Sequence, residues 1–129
     1  MLELLFCVYR EVRLMVKLAN FTRHYPRQAE IRYWEDRGYC LDPTPRAPSL
    51  DESWGEQEIA EILGEEMAKI KAQGFDAILI GGLTNVMAYA WYIAQRLGLE
   101  VVCTRGRKGE SGYIITTHST MLNPALLAA

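Results

Sequence analysis

The chain has 129 residues, half of them hydrophobic, and a formal net charge of −2 at pH 7. This length fits one domain, and this hydrophobic content supplies a core and excludes a disordered chain. No apolar run reaches the roughly 18 residues of a membrane span, and the chain is not basic enough for a general nucleic-acid binder. We therefore predict one domain over residues 1–129, with 1–14 as an N-terminal extension, 121–129 as a tail, and neither a membrane nor a long nucleic acid as partner.

Cysteines and histidines are few and scattered. Cys7, Cys40 and Cys103 lie far apart and show no CxxC spacing. This pattern argues against a disulfide framework or a zinc site and favours a reducing compartment. His24 and His118 are too few to make a metal site by themselves. We therefore predict a cytoplasmic protein with no metal and no cofactor.

In chain order, the first predicted strand covers residues 16–21, where apolar side chains alternate with others. A polar cluster follows it directly, and its amide, hydroxyl and guanidinium groups suit a phosphate, a ribose or a base edge. The alternative is a polar loop on solvent. The predicted ligand residues of this first loop are Asn20, Phe21, Thr22 and Arg23, with His24 beside them.

Two helices are predicted next. Ile31 and Trp34 have helical spacing within residues 27–39, and Gly38 is a typical stop. Residues 40–50 contain three prolines, which predicts a surface connection, one that could lie over a ligand site. Residues 53–73 have an apolar face at three- and four-residue steps and end before Gly74; Ser53 with Glu56 predicts a capping box at their start.

The segment of residues 75–97 reads as a strand, a glycine turn and a helix. Its apolar start is typical of a strand buried on both faces, and ligands of open parallel sheets bind at the carboxyl end of such a strand. Glycines let a ligand approach the backbone, and a helix N-terminus suits a phosphate. A tight turn with no ligand is the alternative. The predicted ligand residues here are Gly81, Gly82, Leu83, Thr84 as the helix cap, and Asn85.

The remaining pattern is a strand at residues 99–104, a glycine-rich basic loop at 105–112 and a last strand at 113–117. The basic loop adds Arg105 and Arg107 as predicted anion contacts. Together the elements predict an α/β fold, a Rossmann-like three-layer sandwich with a mostly parallel central sheet and a C-terminal β-hairpin.

The first loop, the acidic middle helix and the turn Gly81-Gly82-Leu83-Thr84-Asn85 resemble the small stand-alone CARF (CRISPR-associated Rossmann-fold) proteins of type III CRISPR systems. The resemblance covers about residues 16–104. It implies a homodimer that binds a cyclic oligoadenylate, in first place cyclic tetra-adenylate, on its twofold axis. It also implies antiviral signalling, with the protein acting as a sensor, a sponge or a metal-independent ring nuclease.

In a ring nuclease the 2′-hydroxyl of the ligand attacks the adjacent phosphate, and His24 or His118 is the candidate for moving the proton. Two other classes of function stay open. A nucleotide or sugar-phosphate enzyme would need a carboxylate near the glycine turn, and Asp76 lies at the wrong end of its strand. A non-enzymatic dimeric interaction module would use the apolar helix that follows Asn85 as its interface.

Overall fold

The computed structural model describes residues 15–81, 84–109 and 112–120. Predictions that fall on residues 1–14 and 121–129, on Gly82 and Leu83, or on the side chains of Thr84 and Asn85 lie outside this description. The described chain alternates strands and helices: β1 (Val16–Phe21), α1 (Gln28–Glu35), β2 (Tyr39–Asp42), α2 (Glu56–Ala72), β3 (Ala77–Ile80), α3 (Thr84–Arg96), β4 (Glu100–Gly109) and β5 (Gly112–Thr120).

The five described strands form one sheet in the order β2-β1-β3-β4-β5. β1 pairs in parallel with both β2 and β3, and β3 pairs in parallel with β4. β5 runs antiparallel to β4, from Val102 opposite Thr120 to Gly109 opposite Gly112. The predicted α/β class and the mostly parallel sheet are therefore confirmed.

Each face of the sheet carries its own hydrophobic cluster, because successive strand residues point to opposite faces. In β1, Leu18 belongs to one cluster and Ala19 to the other. α1 adds Trp34, fully buried, to the Leu18 cluster. α2 and α3 cover the Ala19 cluster with Leu63, Met67, Ile70, Ala90 and Ala94. Strands buried on both sides explain why residues 77–80 read as one apolar run.

The sheet is strongly curled towards α1. Tyr39 of β2 and His118 of β5 lie on opposite edge strands, yet their ring centroids are only 6.0 Å apart. In a flat sheet, four strand spacings would separate these edges by roughly 19 Å. A register shift between Arg105 and Gly106 bends β4 near this point. The two edge strands, β2 and β5, therefore approach each other on the face of the sheet that α1 covers.

Several helix ends are where the sequence predicts them. Gly38, Gly74 and Gly98 follow α1, α2 and α3 and have φ angles of 86°, 91° and 74°. Such angles favour glycine, which explains the stops. The capping box predicted at Ser53 is wrong, because Ser53 bonds back to Asp51, its Oγ donating over 2.6 Å. α2 begins two residues later, with Gly55 as N-cap.

Two predictions about the irregular segments are also wrong. Residues 40–50 are predicted to be a surface connection, but the first three of them belong to β2 (Tyr39–Asp42), an edge strand whose four residues are all buried. The prolines begin only after it, at Pro43, so they do not interrupt its pairing with β1. The basic loop predicted at residues 105–112 is instead paired strand as far as Gly109.

The cysteines correct a third prediction. Cys40 is disulfide-bonded, whereas Cys103 is a free cysteine. The expectation that the cysteines form no disulfide is therefore wrong at Cys40. The cysteines accordingly do not indicate a reducing compartment. Among the described helices, none combines the length and the apolar character needed to cross a membrane.

Candidate functional site

The order of the strands creates one switch point in the sheet. The chain leaves β1 for β2 on one side, then crosses back over β1 to β3 on the other side. Connections that leave in opposite directions open a crevice at the carboxyl ends of the two strands, where ligands of α/β sheets bind. Here those ends are Phe21 and Ile80, which pair with each other in the sheet.

A cavity of about 610 Å³ lies at this switch point. Its volume is in the range of small-molecule sites. It brings together both predicted loops, because Asn20 to His24 and Gly81 line it in common. The other lining residues come from every neighbouring element: Tyr25, Pro26, Glu30, Ala47, Pro48, Leu50, Leu63, Leu79, Ile80, Val86, Met87, Ala90 and Thr104.

Asn20 holds the first loop in shape. Its side chain is buried, and its Nδ2 donates to the carbonyl oxygens of His24 and Pro43, both over 2.9 Å. Thr22 Oγ1 donates to Asn20 Oδ1 over 2.6 Å. Both amide protons of Asn20 are thus used within the protein. Asn20 therefore positions the loop, and only its oxygen retains capacity for a ligand.

The proline-rich segment lies against the end of β1 and closes one side of the cavity. Arg46 N donates to Asn20 O over 2.9 Å, and Ala47 N donates to Thr22 O over 3.2 Å. Arg46 also forms an ion pair with Asp42 at 2.9 Å. Burial raises the pKa of Asp42, but hydrogen bonds from Thr44 and Arg46 outweigh it and leave that pKa below its usual value. The backbone hydrogen bonds and the ion pair thus fix the position of this segment, which the sequence predicts to be a surface connection.

The role predicted for the glycine turn changes at Gly81. Its φ lies outside the left-handed region, so its backbone conformation is open to other residues. A Cβ built on Gly81 would meet Thr22 Cγ2 at 3.6 Å, an ordinary contact. The two loops therefore contact each other at this point. The backbone conformation of residue 81 does not require glycine.

Four titratable side chains at the cavity have no hydrogen bond or ion pair with the described part of the chain. They are Arg23, His24, Tyr25 and Glu30. All four belong to the segment that leaves β1 and enters α1, and Tyr25 is 76% exposed. Sequence reasoning found the first two and missed Tyr25 and Glu30. Their signal was weak, since neither lies in a motif; Tyr25 directly follows the first loop, and Glu30 lies in the first turn of the next helix.

His118 lies outside this cavity. It is part of an aromatic cluster formed by Tyr33, Trp34, Tyr39 and His118 on the α1 side of the sheet, and its Nδ1 shares a hydrogen bond of 2.9 Å with the Tyr33 hydroxyl. In the same cluster, burial and the neighbouring Glu100 raise the pKa of Tyr39 to about 12. The structure therefore separates the two histidines, and only His24 faces the cavity.

Of the two predicted basic contacts, Arg105 is not among the residues that line the cavity. Arg105 is exposed and pairs through its backbone with Thr117, one residue beyond Thr104, which does line the cavity. The side chain of Arg107 lies outside the described residues. Within residues 15–81, 84–109 and 112–120, no three His, Cys, Asp or Glu side chains come together as a metal site would require.

A scan against protein-family models finds no match for this sequence, and a search of curated proteins finds no relative. The fold and the cavity are therefore the observations that bear on function.

Proposed function

We propose that this protein binds a cyclic oligoadenylate, in first place cyclic tetra-adenylate, in the switch-point cavity. The proposal includes a Rossmann-like three-layer fold with a C-terminal hairpin, a homodimer, and a cytoplasmic role in type III CRISPR defence as sensor, sponge or ring nuclease. The observation that carries it is the cavity itself, because it joins the two loops on which the sequence resemblance rests. The cytoplasmic location rests on the resemblance alone.

The lining of the cavity suits a nucleotide. Apolar side chains such as Phe21 and Met87 can cover the faces of a base, and the aromatic ring of Tyr25 is free for stacking. Arg23 at the exposed rim offers a forked donor for a phosphate. A cyclic tetranucleotide has twofold symmetry, so two identical cavities in a homodimer would each hold half of it.

A groove between α2 and α3 supports the dimeric part of the proposal. Its mostly apolar lining consists of Ala60, Gly64, Tyr89, Tyr92, Ile93, Arg96 and Leu97. Tyr92 is 55% exposed, which is high for a large apolar side chain. An apolar helix side of this kind favours contact with a second chain.

If the ring is cut, the ligand supplies the nucleophile. The 2′-hydroxyl releases its proton to solvent as its oxygen bonds to the adjacent phosphorus, the bond from phosphorus to the 5′-oxygen breaks, and the departing 5′-oxygen takes up one proton, so the number of protons is unchanged. His24 is the histidine that faces the cavity and could deliver this proton. Arg23 beside it would stabilise the charge that develops on the phosphate.

The test is incubation of the protein with radiolabelled cyclic tetra-adenylate in the presence of a metal chelator. We expect a gel shift at micromolar protein, and linear products if the protein is a ring nuclease. His24→Ala should slow any cleavage without abolishing the shift, and the matched variant His118→Ala should leave the cavity intact. Absence of a shift at micromolar protein would overturn the proposal.

Glu30 favours a second candidate function. A nucleotide or sugar-phosphate enzyme of this fold needs a carboxylate near the glycine turn, and Glu30 lines the same cavity as Gly81. Asp76 cannot serve, since it lies at the amino end of β3, where its Oδ2 accepts a hydrogen bond from Lys17 N over 3.2 Å. Release of free base from nucleosides or nucleotides, detected by chromatography and lost in Glu30→Gln, would support this function.

A further inference from the structure

We propose that Glu30 recognises the ribose 2′-hydroxyl of the bound ligand and so selects RNA rings over rings that lack this donor. The inference rests on the proposed function, because it assigns a specificity-determining residue to the same cavity. The side chains that line the cavity differ in kind between its buried floor and its exposed rim.

The floor of the cavity is apolar. Phe21, Leu63 and Ile80 are each no more than 3% exposed. The buried polar side chain at this depth is that of Asn20, and its amide protons are already bonded to the protein. A phosphate placed here would lose its hydration without gaining a cation, which is costly. The flat faces of a base can be buried at this depth.

The rim carries the cation Arg23 and, next to it, the polar side chain of His24. Arg23 and His24 line the cavity and are exposed, and neither side chain is paired within the described chain. A phosphate can reach them while it stays in contact with water. The ligand is therefore oriented with a base inward and a phosphate outward, which leaves its ribose between the two.

Glu30 lies at the intermediate depth. It is the third residue of α1, it is half-buried, and it has no hydrogen-bond or ion-pair partner in the described residues. No ion pair joins it to Arg23 in this part of the chain. Its place in the first turn of α1 favours its negative charge, and its carboxylate keeps its acceptor capacity for a donor on the ligand.

The chemistry of a carboxylate decides which ligand group it faces. An ionised carboxylate only accepts hydrogen bonds, so it repels a phosphate and attracts a hydroxyl donor. In a ring of 3′–5′ linked nucleotides, the hydroxyl that remains on each ribose is the 2′-hydroxyl. Acidic side chains bind this hydroxyl in dinucleotide-binding folds, and the same hydroxyl distinguishes RNA from DNA. The geometry thus assigns Glu30 to the ribose.

The test compares the affinity of the full chain for two probes by titration calorimetry. One probe is cyclic tetra-adenylate, and the other is the same ring with fluorine in place of each 2′-hydroxyl, which removes the donor and keeps the sugar conformation. Wild-type protein should bind the hydroxyl ring roughly tenfold to a hundredfold more tightly, as for a hydrogen bond to a charged group. In Glu30→Ala the two affinities should become nearly equal.

The control is Glu65→Gln, which neutralises an exposed carboxylate of α2 outside the cavity lining and should keep the wild-type preference. Glu30→Gln, which keeps the shape of the side chain and is expected to fold, should retain part of the preference. A preference that survives both Glu30 variants would overturn the assignment and leave the proposed function standing. Failure of wild-type protein to bind either ring would overturn both.

Discussion

At the residue scale, Arg23 is the predicted anion contact that the structure places at the cavity rim. Its guanidinium has no partner in the described chain, so it can form charge-assisted bonds to a phosphate. Arg23→Ala should weaken binding of cyclic tetra-adenylate by about 1.5–3 kcal/mol, the value for hydrogen bonds to charged groups. The matched control is Arg37→Ala, because Arg37 donates to Tyr33 O and stacks on that ring away from the cavity. Equal losses in both variants would argue against the rim contact.

Asn20 makes a different prediction, because its hydrogen bonds are internal. Asn20→Ala leaves the carbonyl of Pro43 without its donor and removes the bonds of Asn20 to His24 O and Thr22 Oγ1, which keep their bond of 3.2 Å to each other. We expect the free energy of unfolding to fall by about 1–3 kcal/mol, the cost of buried groups left unsatisfied. Urea denaturation measures this change. Ser49→Ala, at an exposed position with no hydrogen bond in the described chain, is the control, and a stability equal to wild type in Asn20→Ala would show that water replaces these bonds.

Tyr39 predicts how stability depends on alkaline pH. Burial and its hydrogen bond to Glu100, 2.7 Å long, raise its pKa from 10.0 to about 12. A raised pKa means that the folded state favours the neutral phenol. This contribution is complete below pH 10 and is lost as the pH rises towards 12. Denaturation curves over this range should show the loss in wild type and a smaller one in Tyr39→Phe; identical slopes would contradict the assignment.

The residues of the site were only partly predictable from the sequence. Asn20 to His24 could be found because polar groups directly follow an apolar strand. Glu30 and Tyr25 could not, since an isolated acid or tyrosine in a charged segment has no distinguishing pattern. Only the path from β1 into α1 turns both towards the cavity. His118 could not be excluded either, because its removal from the site depends on the curl of the sheet.

At the element scale, replacement by alanine should change stability in opposite directions at two glycines that both have free space for a Cβ. Gly64 lies inside α2 and Gly38 follows α1, and a Cβ at either meets no atom within 4 Å. Gly64→Ala should stabilise the fold by about 0.5–1 kcal/mol through helix propensity. Gly38→Ala should destabilise it by about 1–2 kcal/mol, because its φ of 86° disfavours a Cβ. Thermal unfolding of both variants measures the contrast, and a shift of the same sign would refute it.

The elements themselves were largely predictable, with informative exceptions. Apolar faces and glycine stops predict α1, α2 and α3, because the buried side chains of each helix recur at the helical period. β2 was missed because its four residues precede a proline-rich stretch and contain the acid Asp42. Arg46, four residues later, and Thr44 pair with this buried acid. These partners are close in sequence but lie outside any helix, so no helical spacing marks them.

At the scale of the whole molecule, the parallel order of strands is what creates the site. The class of fold followed from alternating strands and helices, but the order β2-β1-β3-β4-β5 could not, since it depends on which side of β1 each crossover takes. That order brings the ends of β1 and β3 side by side and opens the cavity between them. The sequence also did not predict that the edge strands β2 and β5 approach each other around α1.

The central claim is that cyclic tetra-adenylate binds at the carboxyl ends of β1 and β3. Hydrogen exchange with and without saturating cyclic tetra-adenylate tests it most directly, because each protected peptide reports where the ligand lies. We expect protection over residues 20–30 and 79–90, and little change around Tyr33 and His118. Protection confined to the aromatic cluster or to the α2–α3 groove would contradict it.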